Sequence, residues 1–172
     1  MGPEGLAHVD IGEAWPCADD RNKMTNQGTD LNHGMLHDLI GHLLRHGFNL
    51  GQSVFRTAFE AEAITPLQFM IMELVSHNPG ISHSRLCTEL GTSASVITTT
   101  LKPLLAGGQM IAQPMAGDAR QSVYTASEAG RVAHSRMQTL IARSEKMLTE
   151  ALTQTERAEL GRLLRLLIGK AG

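Results

Sequence analysis

At 172 residues, with 42% hydrophobic and 19% charged side chains, the chain has room for one domain with a real core, too little for two large ones, and a balance that excludes wholesale disorder. No apolar run approaches the ~18 residues of a membrane span, and the N-terminus lacks the basic-then-apolar order of a secretory signal, so no membrane partner and a cytoplasmic location are expected. The net charge of −2 is not that of most nucleic-acid binders, but residues 1–30 set six acids (Glu4, Asp10, Glu13, Asp19, Asp20, Asp30) against Arg21 and Lys23, which leaves the remainder mildly basic.

Residues 1–31 mix Gly2, Pro3, Gly5, Gly12, Pro16 and Gly28 with polar side chains and show no apolar period; they read as a flexible acidic extension. The domain proper is expected over 32–172, with helical ends (32–62 and 127–172) around a smaller middle (63–126). Leu36, Leu39, Ile40, Leu43, Leu44, Phe48, Phe55 and Phe59 recur at the spacing of one long amphipathic helix from Met35 to about Ala61, its apolar side buried. Thr65-Pro66-Leu67-Gln68 is a capping box with proline at the first helical position, and this second helix stops at His77-Asn78-Pro79-Gly80.

Ser82 caps a short helix to Leu90; Gly91-Thr92-Ser93 turns into another from Ala94 to Ala106, closed by Gly107-Gly108. Pro103 removes an amide donor late in that helix and should bend or loosen it. Two extended runs, Met110–Ala116 and Gln121–Thr125, flank the turn residues 116–120 as a hairpin. Ser127 caps a long helix with a buried stripe of Ala133, Met137, Leu140, Ile141, Met147, Leu148 and Ala151. Thr153-Gln154-Thr155-Glu156 is a second capping box, opening a last helix. With 3% aromatics, the core is expected to be aliphatic, with methionine filling gaps.

Helix, short turn, helix and hairpin in that order make a winged helix-turn-helix, so the fold is mainly α with one small β-wing. Leu86, Cys87, Leu90, Ile97, Leu101 and Leu104 would join the two helices. That leaves Ser93, Ala94, Ser95, Thr98, Thr99 and Lys102 on the outer face of the second, short groups suited to base edges and phosphates. Ser82, His83 and Ser84 at the start of the first helix, and Gln121 beside the hairpin tip, complete the expected DNA-facing set. Leu160, Leu163, Leu164, Leu167 and Ile168 form a stripe too apolar for water, which predicts an interface with a second copy.

Over residues 35–170 the chain resembles the MarR (multiple antibiotic resistance regulator) family. The resemblance is carried by Thr65-Pro66-Leu67-Gln68-Phe69, Leu86-Cys87-Thr88-Glu89-Leu90-Gly91, Ser95 through Leu104, and above all Asp118-Ala119-Arg120 followed by Ser127-Glu128-Ala129-Gly130. It implies a homodimer interlocked through its first and last helices, binding an operator in duplex DNA and answering to a small effector, commonly an aromatic acid. It maps the wing-tip arginine onto Arg120 and its acidic partner onto Asp118, and implies an effector site for which His37, Leu44, Phe48, Met70 and Arg136 are the candidates. Thr99 and Pro103 stand where the family often has arginine, which implies fewer cationic contacts.

Two other readings compete. His33/His37 and His42/His46 are i,i+4 pairs, a spacing that clamps transition metals. On a single helix, however, His33 and His37 project into the apolar sector and His42 and His46 away from it, so one site cannot gather all four; no metal or other cofactor is assigned, and a metal sensor using His33 and His37 is the alternative. A winged helix serving only as an interaction scaffold is the other. Cys17 lies beside Asp19 and Asp20, which oppose thiolate formation, and Cys87 reads as a small buried residue. No GxSxG, HExxH, P-loop or Rossmann fingerprint is present, and no enzyme is expected.

Overall fold

The computed structural model describes residues 32–169; the expected N-terminal extension and Cys17 lie outside them. A 3₁₀ turn at Gly34–Asp38 precedes α1 (Ile40–Ala58) and α2 (Pro66–His77). Then come β1 (Ile81–Ser82), α3 (His83–Leu90), α4 (Ala94–Ala106), β2 (Met110–Met115), β3 (Asp118–Ala126), α5 (Glu128–Leu148) and α6 (Gln154–Leu167). Among the described residues no helix is long and apolar enough to cross a membrane. By internal contacts the chain divides into two units, one ending at Ser53 and the other starting at Val54.

In the first unit the expected single helix is broken. Leu39 adopts extended backbone (ψ 113) between the 3₁₀ turn and α1, and its carbonyl accepts from Leu43 N at 3.0 Å. The apolar period continues across the break, which is why periodicity does not reveal it. The expected burial is also corrected: Leu36, Leu39, Leu43, Leu44 and Phe48 are exposed, Phe48 by 59%. Because His37 lies in the 3₁₀ turn and His33 at its N-cap, the α-helical projection that put them on a buried side fails, and both are exposed.

The second unit holds the core. Phe55, Ala58 and Phe59 pack with Ile71, Met72 and Val75 of α2, Leu86 of α3, Ile97, Leu101 and Leu104 of α4, and Ala133 and Met137 of α5. Met72, Met110 and Met137 fill gaps as expected, but the core is not purely aliphatic, since Phe55, Phe59 and Tyr124 are buried and the two phenyl rings stack at 4.0 Å. The α2 capping box forms, with Gln68 N donating to Thr65 Oγ1 and Thr65 N donating to Gln68 Oε1. Helix α4 stays continuous through Pro103. Of the α5 stripe, Ala133 and Met137 are buried and Leu140, Ile141, Met147 and Leu148 half-buried; Ala151 falls beyond the helix and is exposed.

The sheet has order β1-β3-β2, all antiparallel. Strand β1 is absent from the sequence reading because two residues show no alternation; it exists through Ile81↔Tyr124 and Ser82↔Val123, pairings over forty residues apart. The hairpin turn is also tighter than expected: Met115 pairs with Asp118 across Ala116-Gly117, and Gly117 takes φ +86, open to glycine at little cost. At the other end of β3, Gly130 lets α5 dock on the α4–β2 connection. A Cβ there would lie 2.0 Å from the Gln109 carbonyl oxygen, which accepts from Ser127 N at 3.1 Å.

Candidate nucleic-acid interface

Side-chain caps set the turn between α3 and α4. Ser82 caps α3 by accepting from Arg85 N at 3.2 Å, and Ser93 caps α4 by accepting from Val96 N at 3.4 Å. Between them Gly91 closes α3 in left-handed backbone. Buried Leu86, Ile97, Leu101 and Leu104 hold the pair against the rest of the core, with Leu90 half-buried beside them. Cys87, expected to be buried, is half-buried, with Sγ 3.7 Å from His83 Nδ1.

Ser93, Ala94, Ser95, Thr98, Thr99 and Lys102 are all exposed, so the expected outer face of α4 is one surface. They differ in how far they are committed. The Thr98 hydroxyl donates to Ala94 O at 2.8 Å, so its contact with His83 Nε2 at 3.1 Å requires the ring N–H to donate. His83 therefore tethers α3 to α4, and its other nitrogen faces Cys87. Ser93 and Ser95 hydroxyls pair at 3.0 Å, as do Ser82 and Ser84 at 3.1 Å, whereas the Thr99 hydroxyl has no partner among the described residues. Ser95, Val96, Thr99 and Thr100 line a shallow depression on this face. Val96, 42% exposed, is absent from the expected set because an apolar residue in an apolar-periodic helix gives no sign of being exposed; its side chain is of the kind that suits a thymine methyl.

At the wing tip, Asp118 acts on the wing itself. Its Oδ1 accepts from Arg120 N at 3.1 Å and its Oδ2 from Gln121 Nε2 at 3.0 Å, which fixes the backbone after the turn. Arg120 is exposed and makes no ion pair among the described residues; the same holds for Lys102. Two uncommitted cations and a face of short polar groups suit phosphates and base edges respectively.

The remaining sequence candidates are exposed or half-buried one by one. His37, Leu44, Phe48, Met70 and Arg136 are exposed, and the Arg136 guanidinium lies 3.8 Å from Glu62 Oε2. His33 and His37 rings lie 4.8 Å apart. His42 and His46, expected to be solvated, are half-buried with their Nε2 atoms 2.9 Å apart. Desolvation first, then the neighbouring His46, His37, Arg45 and His33, push the His42 pKa below its ordinary value. Leu160, Leu163, Leu167 and Ile168 are exposed and Leu164 half-buried.

A capped helix-turn-helix followed by a β-wing defines the winged helix-turn-helix fold. No protein-family model matches the sequence. The chain is 26% identical over 147 residues, 84% of its length and 89% of the relative's, to a putative transcriptional regulatory protein for the hcr operon of Thauera aromatica. It superposes with a TM-score of 0.77 on the transcriptional repressor CouR bound to a 23-mer DNA duplex, at 26% identity over 81% of this chain and 99% of that one. BpsR of Bordetella bronchiseptica, whose DNA binding is regulated by 6-hydroxynicotinic acid, shares the fold with a TM-score of 0.73 at 18% identity, over 83% of this chain and 99% of that one. The chain thus shares the winged helix-turn-helix fold of MarR-type proteins and is similar in sequence to regulators of transcription.

Proposed function

We propose that the chain is a homodimeric repressor in the cytoplasm, binding an inverted-repeat operator and released from it by a small aromatic acid. The observation that carries this reading is the joint exposure of Thr99 and Lys102 on α4 and of Arg120 on the wing, none of whose side chains makes a hydrogen bond or ion pair among the described residues. The dimer is supported by the leucines of α6, which an isolated chain would leave in water. The effector is supported by the control of BpsR by an aromatic acid. Arg136, which makes one long ion pair among the described residues, is the cation assigned to the effector's carboxylate.

The test uses the full chain and labelled promoter fragments taken from beside its own gene. Fluorescence anisotropy should show salt-dependent binding to a fragment whose half-sites lie about one helical turn, roughly 10 bp, apart. Hydroxylated benzoic, cinnamic and nicotinic acids are then added in turn, and one of them should release the DNA. Equal affinity for every fragment would overturn the operator, and binding that no acid disturbs would overturn the effector.

A further inference from the structure

Away from the DNA-facing surface, α2 and α5 bring together three side chains with metal-ligating atoms. Glu73 and His77 are one turn apart on α2, and His134 reaches them from α5. His134 Nε2 lies 2.5 Å from Glu73 Oε2, His77 Nδ1 lies 3.4 Å from Glu73 Oε1, and one donor atom from each of the three falls within 4.8 Å of the others. The two imidazole rings meet edge to face at 5.7 Å. Burial is graded: the His134 side chain is 10% exposed, Glu73 42% and His77 59%, so the cluster has a packed floor and a side open to solvent.

We propose that Glu73, His77 and His134 form a binding site for a borderline divalent transition cation, with Zn²⁺ as the probe. Two imidazoles and one carboxylate with a solvent-facing fourth position is the donor set of an open zinc site. Bond lengths of about 2.0–2.2 Å place tetrahedral ligands roughly 3.3 Å apart, so the donors close on the ion by small side-chain rotations. His77 Nδ1 would leave the Glu73 carbonyl oxygen, 2.9 Å away, which already serves as a helix acceptor. Ca²⁺ and Mg²⁺ are hard cations that take oxygen ligands, whereas two of the three donors here are imidazole nitrogens. The competing description is a plain Glu73–His134 tether between the helices, which needs nothing from His77. The site is distinct from the His33/His37 pair and does not depend on the regulatory reading above.

The experiment titrates metal-free full-length protein with Zn²⁺ against a chromophoric chelator and follows the visible absorption of Co²⁺ as a coordination signature. Wild type should bind one ion per chain at this site and melt at a higher temperature with Zn²⁺ present, since an ion that binds only the folded state stabilises it. His77→Ala, at an exposed position, and Glu73→Gln should weaken binding by about tenfold or more and erase the Co²⁺ bands while far-ultraviolet circular dichroism stays unchanged. The double change His42→Ala with His46→Ala should leave both signals intact. Wild-type affinity in the His77→Ala and Glu73→Gln proteins, or no saturable binding in wild type, would show a helix tether only and overturn the proposal.

Discussion

On the proposed DNA-binding role, Arg120 and Thr99 would meet DNA with different chemistry, and the difference is measurable. An uncommitted guanidinium at a loop tip works on the backbone or a narrow minor groove, so Arg120→Ala should weaken binding to many sequences alike and reduce the salt slope by about one phosphate contact per subunit. Thr99→Ala should alter discrimination at a few base pairs and leave that slope nearly unchanged. Anisotropy against a panel of operator variants across salt concentrations separates them. His42 makes a different claim. Its lowered pKa means that the folded chain holds fewer protons than the unfolded one just below pH 6.5, so its contribution is present above that pH and lost as the pH falls. Denaturation midpoints measured from pH 7.5 to 5 should fall, and His42→Gln should flatten the fall.

Among the elements, the α5 docking point is the least forgiving. Gly130→Ala would drive a methyl group against the backbone oxygen of Gln109, and no side chain can move to relieve it. The cost should be about 3 kcal/mol or more in chemical denaturation, at the top of the overpacking range. The two capping boxes should respond unequally although their sequences are alike. Thr65→Ala should cost about 1 kcal/mol of global stability, because α2 carries the buried Ile71, Met72 and Val75. Thr153→Ala removes the cap to Glu156 N and the hydroxyl hydrogen bond that contributes most to holding the Glu156 carboxyl below its usual pKa, leaving the one from the backbone N–H, on a helix with no fully buried residue. Its effect should be local fraying, seen as faster amide exchange at Glu156 and Arg157 with little change in the global midpoint.

For the whole molecule, the exposed stripe of α6 sets the expected assembly. Sedimentation should give about twice the 18.6 kDa chain mass. Leu163→Glu combined with Leu167→Glu should yield a monomer with much weaker operator binding, because each half-site contact then acts alone. A wild-type chain that stays monomeric at micromolar concentration would remove the dimer. Residues 1–31 enter through charge: a chain starting at Asn32 should bind operator at least as tightly as the full chain, since a net −4 segment repels phosphate.

The sequence alone determined whatever depends on neighbours a few residues apart. The caps at Thr65, Ser82, Ser93, Ser127 and Thr153, the helices they open, the hairpin and the outer face of α4 all follow from local hydrogen bonding and a 3.6-residue period. The resemblance carried by Asp118-Ala119-Arg120 was legible for the same reason, because Asp118 bonds two and three residues ahead. The break at Leu39 was not, since a 3₁₀ turn and an α-helix keep nearly the same apolar spacing over five residues. Only the tertiary structure decided the rest: the two-residue β1, the approach of Gly130 to Gln109, and the meeting of Glu73 and His77 with His134. Each joins segments far apart in the chain, and contacts of that kind come from packing, which leaves no period or spacing in a single sequence.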